Sequence, residues 1–201
     1  MDKKEIVQYH VRELLKGLGL DLLDPNLIDT PERVARMYVD ELMSSLEKEP
    51  PNLKTFPNEN KVHGFTQKEY DEIILFDNIP FISLCSHHLL PFSGKAWLAY
   101  IPNNRLIGAS KSARLIHYFS GKPQLQEKLA IEIADYLEEQ IAPKGIILVM
   151  RAVHGCMACR GIKTGPNAGM MTSVTRGAFR SDQSTRNEAL KLIELSISDR
   201  S

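Results

Sequence analysis

The sequence predicts an α+β fold in which helices pack on one face of an antiparallel sheet. Apolar residues at helical spacing dominate both ends of the chain, and short β-rich runs separated by turn residues fill the middle. No internal repeat is visible. The chain has 201 residues, and at about 150 residues per domain a single core is the default. The reading divides it into an N-terminal helical segment, 1–60, and a domain over 61–201.

Ile6, Val7, Val11, Leu14, Leu15 and Leu18 recur at helical spacing and stop at Gly17 and Gly19, which predicts a first helix. Thr30 before Pro31 reads as an N-cap with proline at the first helical position, and Val34, Met37, Tyr38, Leu42 and Leu46 carry that helix into the high forties. Pro50, Pro51, Asn52, Pro57, Asn58 and Asn60 read as a loop. Three strands are expected next, at Ile73–Phe76, Phe81–Leu84 and Ala96–Ile101, with Asn78, Pro80, Pro91 and Gly94 as separators. Ser110 is expected to cap a helix through Tyr118 that ends at Gly121, and Leu125, Leu129, Ile133 and Leu137 mark a longer helix after Pro123. Ile146–Val153 reads as a buried strand, Met170–Phe179 as another, and Ala189 to Leu195 as a closing helix.

Composition narrows the classes of function. Hydrophobic residues make up 43% and charged residues 25%, so there is apolar material for a core. Lys plus Arg equals Asp plus Glu, at 25 each, which gives no overall basic field for nucleic acid. The first residues lack the apolar run of a signal peptide, and no stretch approaches the ~20 apolar residues that span a bilayer, so a cytoplasmic protein without membrane partners is expected. Local charge is uneven. Arg105, Lys111, Arg114 and Lys122 lie in 102–126, which has no acidic residue, and Arg151, Arg160, Lys163, Arg176, Arg180 and Arg186 face only Asp182 within 151–186. Basic islands on a neutral chain suit a compact anionic ligand.

All 3 cysteines and three of the 6 histidines fall in two short pieces, Cys85-Ser-His87-His88 and His154-Gly-Cys156-Met-Ala-Cys159. Zinc takes thiolate and imidazole ligands in tetrahedral sets, and two ligand pairs far apart in sequence commonly close such a site. An iron–sulfur cluster wants four thiolates, and only three exist. The step from Cys85 to His88 suits gripping one ion with both ends, which leaves His87 free. If Ile146 to Cys156 is one strand, His154 projects from the same face as Cys156 and faces the metal pocket without being a ligand. Two such imidazoles make a proton-transfer site.

The segments DTPERVARMY from Asp29, CSHHLLPFSGKAWLAYIP from Cys85, IGASKSARLIHYFSGKPQLQEKL from Ile107, AVHGCMACRGI from Ala152, and MTSVTRGAF with STRNEAL near the end resemble GTP cyclohydrolase I. They run in order over most of the chain beyond its first thirty residues. The resemblance implies a tunnelling fold whose subunits join their sheets into a barrel, in a homodecamer with active sites at subunit interfaces. It implies a zinc site of Cys85, His88 and Cys156 with water in the fourth position, and hydrolysis of GTP at guanine C8 to 7,8-dihydroneopterin triphosphate and formate. His154 and His87 are then the proton-handling residues. Lys111, Arg114 and Arg160 resemble the family's triphosphate-binding residues, with Ser110 beside them, Arg33 reaching in from another subunit, and Arg36 as a further substrate-binding residue. Arg36 stands where the family often has lysine. Gln126 and Glu127 resemble the residues that read the guanine edge.

Two positions depart from the family's pattern or add to it. Ser86 occupies a place where glutamate is common, so the pocket lacks one carboxylate. Cys159 is an additional cysteine, and it keeps open a structural Cys3His zinc module binding RNA or a protein partner, since a closed tetrahedron has no open position for chemistry. A zinc nucleoside deaminase is the weakest alternative, because its H-x-E and P-C-x-x-C pairing is missing.

Overall fold

The structure, a computed structural model, describes residues 1–59, 61–62, 65–66 and 69–198. Two compact units divide between Lys48 and Glu49. In the first, α1 (Lys3–Gly17) starts with a capping box: the Asp2 carboxylate accepts from the Glu5 amide at 2.9 Å, and the Glu5 carboxylate accepts from the Asp2 amide at 2.8 Å. α2 (Thr30–Arg36) passes into a π-helical turn at Met37–Leu42, so regular α-helix ends well short of the high forties. Asp29, and not Thr30, holds the N-cap position, and the Thr30 hydroxyl turns back towards the Asn26 carbonyl.

The second unit contains β1 (Thr55–Pro57), β2 (Lys61–Val62), β3 (Phe65–Thr66), β4 (Ile74–Cys85), β5 (Pro91–Ile101), β6 (Arg105–Ile107), α3 (Ala109–Ser120), β7 (Pro123–Gln124), α4 (Gln126–Ile141), β8 (Gly145–His154), α5 (Gly155–Ala158), β9 (Met170–Gly177), α6 (Ala178–Ser181) and α7 (Gln183–Ser198). The main sheet has the order β7-β4-β5-β8-β9, antiparallel except for the short β4/β7 pairing. Residues 49–59, read from sequence with the N-terminal helices, group here because β1 pairs with β6. Asn60, the last residue of the expected loop, lies outside the described residues.

The strands run longer than the punctuation implied. Asn78 takes φ 52° at a bulge between Phe76 and Ile79, and the two expected runs become one strand, β4. Pro80 is tolerated inside it because β7 pairs only with Leu84 and Cys85, leaving the Pro80 flank of that edge without a ladder. Gly94 also sits within a strand, β5, where a Cβ would fall 1.8 Å from the Arg151 carbonyl oxygen. That approach requires glycine.

One face of the sheet, with Phe81, Phe92, Leu98, Tyr100, Ile146, Leu148 and Met150, packs against Leu115, Ile116 and Phe119 of α3 and Leu129, Ile133 and Leu137 of α4. The other face carries a smaller core, in which Trp97, Ala99, Ile147 and Val149 meet Phe179, Ala189 and Ile193. Helices therefore cover both faces, and the expectation of one covered face is corrected: α7 is apolar at Ala189 and Ile193 and uses them. Ser110 is not the cap of α3, since Gly108 occupies that position. The strand β9 ends at Gly177, with φ 54°, and Phe179 belongs to the helical turn that follows.

Candidate active site

Cys85 ends β4 and is buried. Its amide donates to the Leu90 carbonyl at 2.8 Å, and its carbonyl accepts from Leu89 at 2.8 Å and His88 at 3.3 Å. This tight turn carries His88 back over Cys85. On the neighbouring pair of strands, Phe92 of β5 lies opposite His154 of β8, and the chain leaves β8 through the helical turn α5, which bears Cys156. The ligand atoms of Cys85, His88 and Cys156 all lie within 4.8 Å of one another. The expectation that Cys156 continues the strand is corrected: the strand ends at His154, and the helical turn swings the thiol to the other two donors.

The donor set fits a borderline-soft divalent metal. Burial, and then the adjacent Cys85 thiol, push the Cys156 thiol up, while Arg160 opposes them. Two thiols this close resist joint ionisation until a cation compensates them. Cys159 is exposed and donates its thiol to the Gly155 carbonyl at 2.9 Å, within its own turn. It is not part of the three-donor group. Arg160 Nη1 lies 3.0 Å from His88 Nε2, and His87, exposed, meets His88 edge to face at 6.2 Å.

Beside this group stands His154, its ring stacked on Phe92 at 4.5 Å and 2° between planes. Burial lowers its pKa, and the Glu127 carboxylate pulls the other way. His154 Nε2 is 2.9 Å from Gln126 Oε1. Gln126 is fully buried, and its amide nitrogen lies 3.1 Å from the Met150 carbonyl, 3.3 Å from the Met170 carbonyl and 3.1 Å from Thr172 Oγ1. Gln126, expected from the family resemblance to read a guanine edge, has both its amide nitrogen and its oxygen bonded inside the protein. Glu127, next in the chain, is exposed on the first turn of α4 and free to face a ligand.

Ser110, Lys111 and Arg114 lie on the first two turns of α3, and Lys111 and Arg114 make no ion pair among the described residues. The start of α3 is anchored from below, where the buried Tyr100 hydroxyl oxygen accepts the Ile107 amide at 3.0 Å. Arg33 and Arg36 belong to α2 of the first unit, where Arg33 contacts Asp29 and the Asn26 carbonyl. Ser86 is exposed in the turn after Cys85, and its amide donates to the Gln124 carbonyl. Sequence reasoning missed Phe92 and Thr172. Phe92 was legible only through its register with His154, and Thr172 only through a buried contact with Gln126.

A family model described as GTP cyclohydrolase I matches residues 7–194. The GTP cyclohydrolase 1 of Clostridioides difficile (strain 630) is 43% identical over 194 residues, covering 96% of this chain and 97% of that one. The GTP cyclohydrolase 1 of Finegoldia magna is 44% identical over 197 residues, 97% of this chain and 100% of that one. That of Rhodopirellula baltica is 39% identical over 192 residues, 96% of this chain and 80% of that one. The archaeosine synthase QueF-Like in the apo form superposes with a TM-score of 0.43 at 13% identity, over 53% of this chain and 94% of that one, too distant to carry an argument.

Proposed function

The chain belongs to the GTP cyclohydrolase I family, and from that membership we propose that it hydrolyses GTP to 7,8-dihydroneopterin triphosphate and formate. It is an enzyme, and GTP cyclohydrolase activity is the family's. The observation that carries the finer reading is the convergence of Cys85, His88 and Cys156 beside His154. A three-donor set with Cys159 turned to its own backbone favours an open metal site over a closed structural one.

Cys85, His88 and Cys156 would hold zinc, which when bound supplies the Lewis acidity for hydrolysis at guanine C8. The protein's own groups do the rest. His154, whose charged form burial disfavours, carries a proton to the ring nitrogen beside C8, and His87 serves as a second proton carrier at the exposed rim. Glu127 accepts from N1–H and N2–H of guanine, one oxygen for each donor. Lys111, Arg114 and Arg160, with Ser110, hold the triphosphate by charge-assisted hydrogen bonds. Net consumption is one water per GTP, with C8 leaving as formate and no redox cofactor used.

We assign the same reading to the assembly. Five-stranded sheets join edge to edge into a barrel within a homodecamer, and Arg33 and Arg36 complete a neighbouring subunit's triphosphate site. The neutral net charge supports a small anion over nucleic acid as partner. Among the described residues no helix is long and apolar enough to cross a membrane, and we place the enzyme in the cytoplasm. Zinc-loaded protein incubated with GTP is expected to release formate together with a pterin that fluoresces after oxidation. GTP binding without either product would overturn the reading.

A further inference from the structure

We infer that Gln126 is a positioning residue that fixes the His154 ring with Nε2–H turned to the Gln126 carbonyl oxygen and bare Nδ1 turned away from it. The inference rests on the reading of His154 as the proton carrier. The orientation of the Gln126 amide follows from its neighbours. The two backbone carbonyls of Met150 and Met170 can only accept, so the side of the amide that meets them, 3.1 and 3.3 Å away, must be its NH2. Turning the amide over would set Oε1 against both carbonyl oxygens in a fully buried place, at the cost of unmet hydrogen bonds on each. Oε1 therefore faces His154 Nε2 at 2.9 Å, and because a carbonyl oxygen cannot donate, Nε2 carries the hydrogen.

This holds for the neutral and the charged ring alike, since both carry a proton on Nε2 in this contact. Nδ1 has no protein partner among the described residues. Stacking on Phe92, with only 2° between the planes, keeps the ring in the orientation that the Gln126 contact needs. Thr172, on β9, steadies the amide from the third side at 3.1 Å. The Gln126 residue thus joins β8, β9 and the first turn of α4 to one imidazole nitrogen.

The test is the tautomer itself. In protein labelled with 15N-histidine, the His154 signal, assigned by its loss in His154→Asn, is expected at mildly alkaline pH to show protonated Nε2 and bare Nδ1. The opposite signature would overturn the inference, and this readout needs neither turnover nor a Gln126 variant. Gln126→Met, of similar shape and without the acceptor, is expected to populate both tautomers and to lower kcat about 10- to 100-fold with KM for GTP within about twofold. Gln126→Glu restores the acceptor but sets a second oxygen against two carbonyls, so part of kcat returns. A raised KM with unchanged kcat in Gln126→Met would instead make Gln126 a guanine reader. Should Gln126→Met fail to fold, Thr172→Val removes one contact only and is expected to move kcat in the same direction by a smaller factor. If the parent protein made no formate from GTP, the functional reading would fall while the tautomer result stood.

Discussion

Arg160 Nη1 lies 3.0 Å from His88 Nε2, and this contact is incompatible with metal binding by the same ring. A guanidinium has only donors, so Nε2 accepts, and a neutral ring then keeps its proton on Nδ1, which faces Cys85 Sγ at 3.9 Å. Ligation through Nδ1 moves that proton to Nε2, setting donor against donor. Ligation through Nε2 uses the lone pair Arg160 holds. Either way Arg160 must turn from His88, and in the proposed function it then becomes available to a triphosphate.

Arg160→Gln is accordingly expected to bind zinc about tenfold more tightly than the parent, since loss of the competing contact and loss of a nearby positive charge act in the same direction. Competition with a chromophoric chelator measures this without any turnover. Equal affinities in the two proteins would show that Arg160 does not guard the ligand.

Cys156 and Cys159 are separated by the direction of their thiols. Cys156 meets Cys85 and His88, whereas Cys159 donates to the Gly155 carbonyl. Purified Cys159→Ser is expected to retain about one zinc per chain and most activity, and Cys156→Ser to lose both. Metal content decides: loss of zinc from Cys159→Ser would make the site a closed one.

The donors were legible in sequence because thiol and imidazole are scarce side chains with narrow chemistry, and Cys85, His88 and Cys156 could be paired on spacing and family resemblance. The helices α3 and α4 were legible through their apolar stripes. The bond from Gln126 to His154 was not, because the partners that bury Gln126 are backbone carbonyls and a hydroxyl 24 to 46 residues away, and backbone acceptors leave no trace in residue type. Asn78 and Pro80 misled for a related reason. Both are turn residues by habit, but a bulge accepts the left-handed Asn78 and an unpaired flank accepts Pro80. The second core under α7 could not be assigned to a face until the sheet order was known.

Tyr100 connects the core to the cationic start of α3. Its hydroxyl is buried, which raises its pKa, while the Ile107 amide that it accepts pulls the other way. Tyr100→Phe leaves that buried amide without an acceptor, a loss of about 1–3 kcal/mol. Denaturant unfolding is expected to show this destabilisation. An unchanged midpoint would mean that the Ile107 amide finds another acceptor.

Asp182 starts α7, where its carboxylate accepts from the Thr185 amide at 2.7 Å and from the Thr185 hydroxyl at 2.5 Å. Those two bonds, the hydroxyl first, hold its carboxyl below the usual range. A carboxyl depressed in the folded state binds its proton less readily than in the unfolded chain, so its contribution is fully present above the unfolded carboxyl pKa and is lost as pH falls through the folded one. Asp182→Ala removes the cap from the helix whose Ala189 and Ile193 fill the second core. The variant is expected to melt below the parent near neutral pH, and the gap between the two is expected to narrow as the solution is acidified through the carboxylate range. Melting curves over that range decide it: a gap that stayed constant or widened towards acid would mean that the ionised carboxylate is not what stabilises the start of α7.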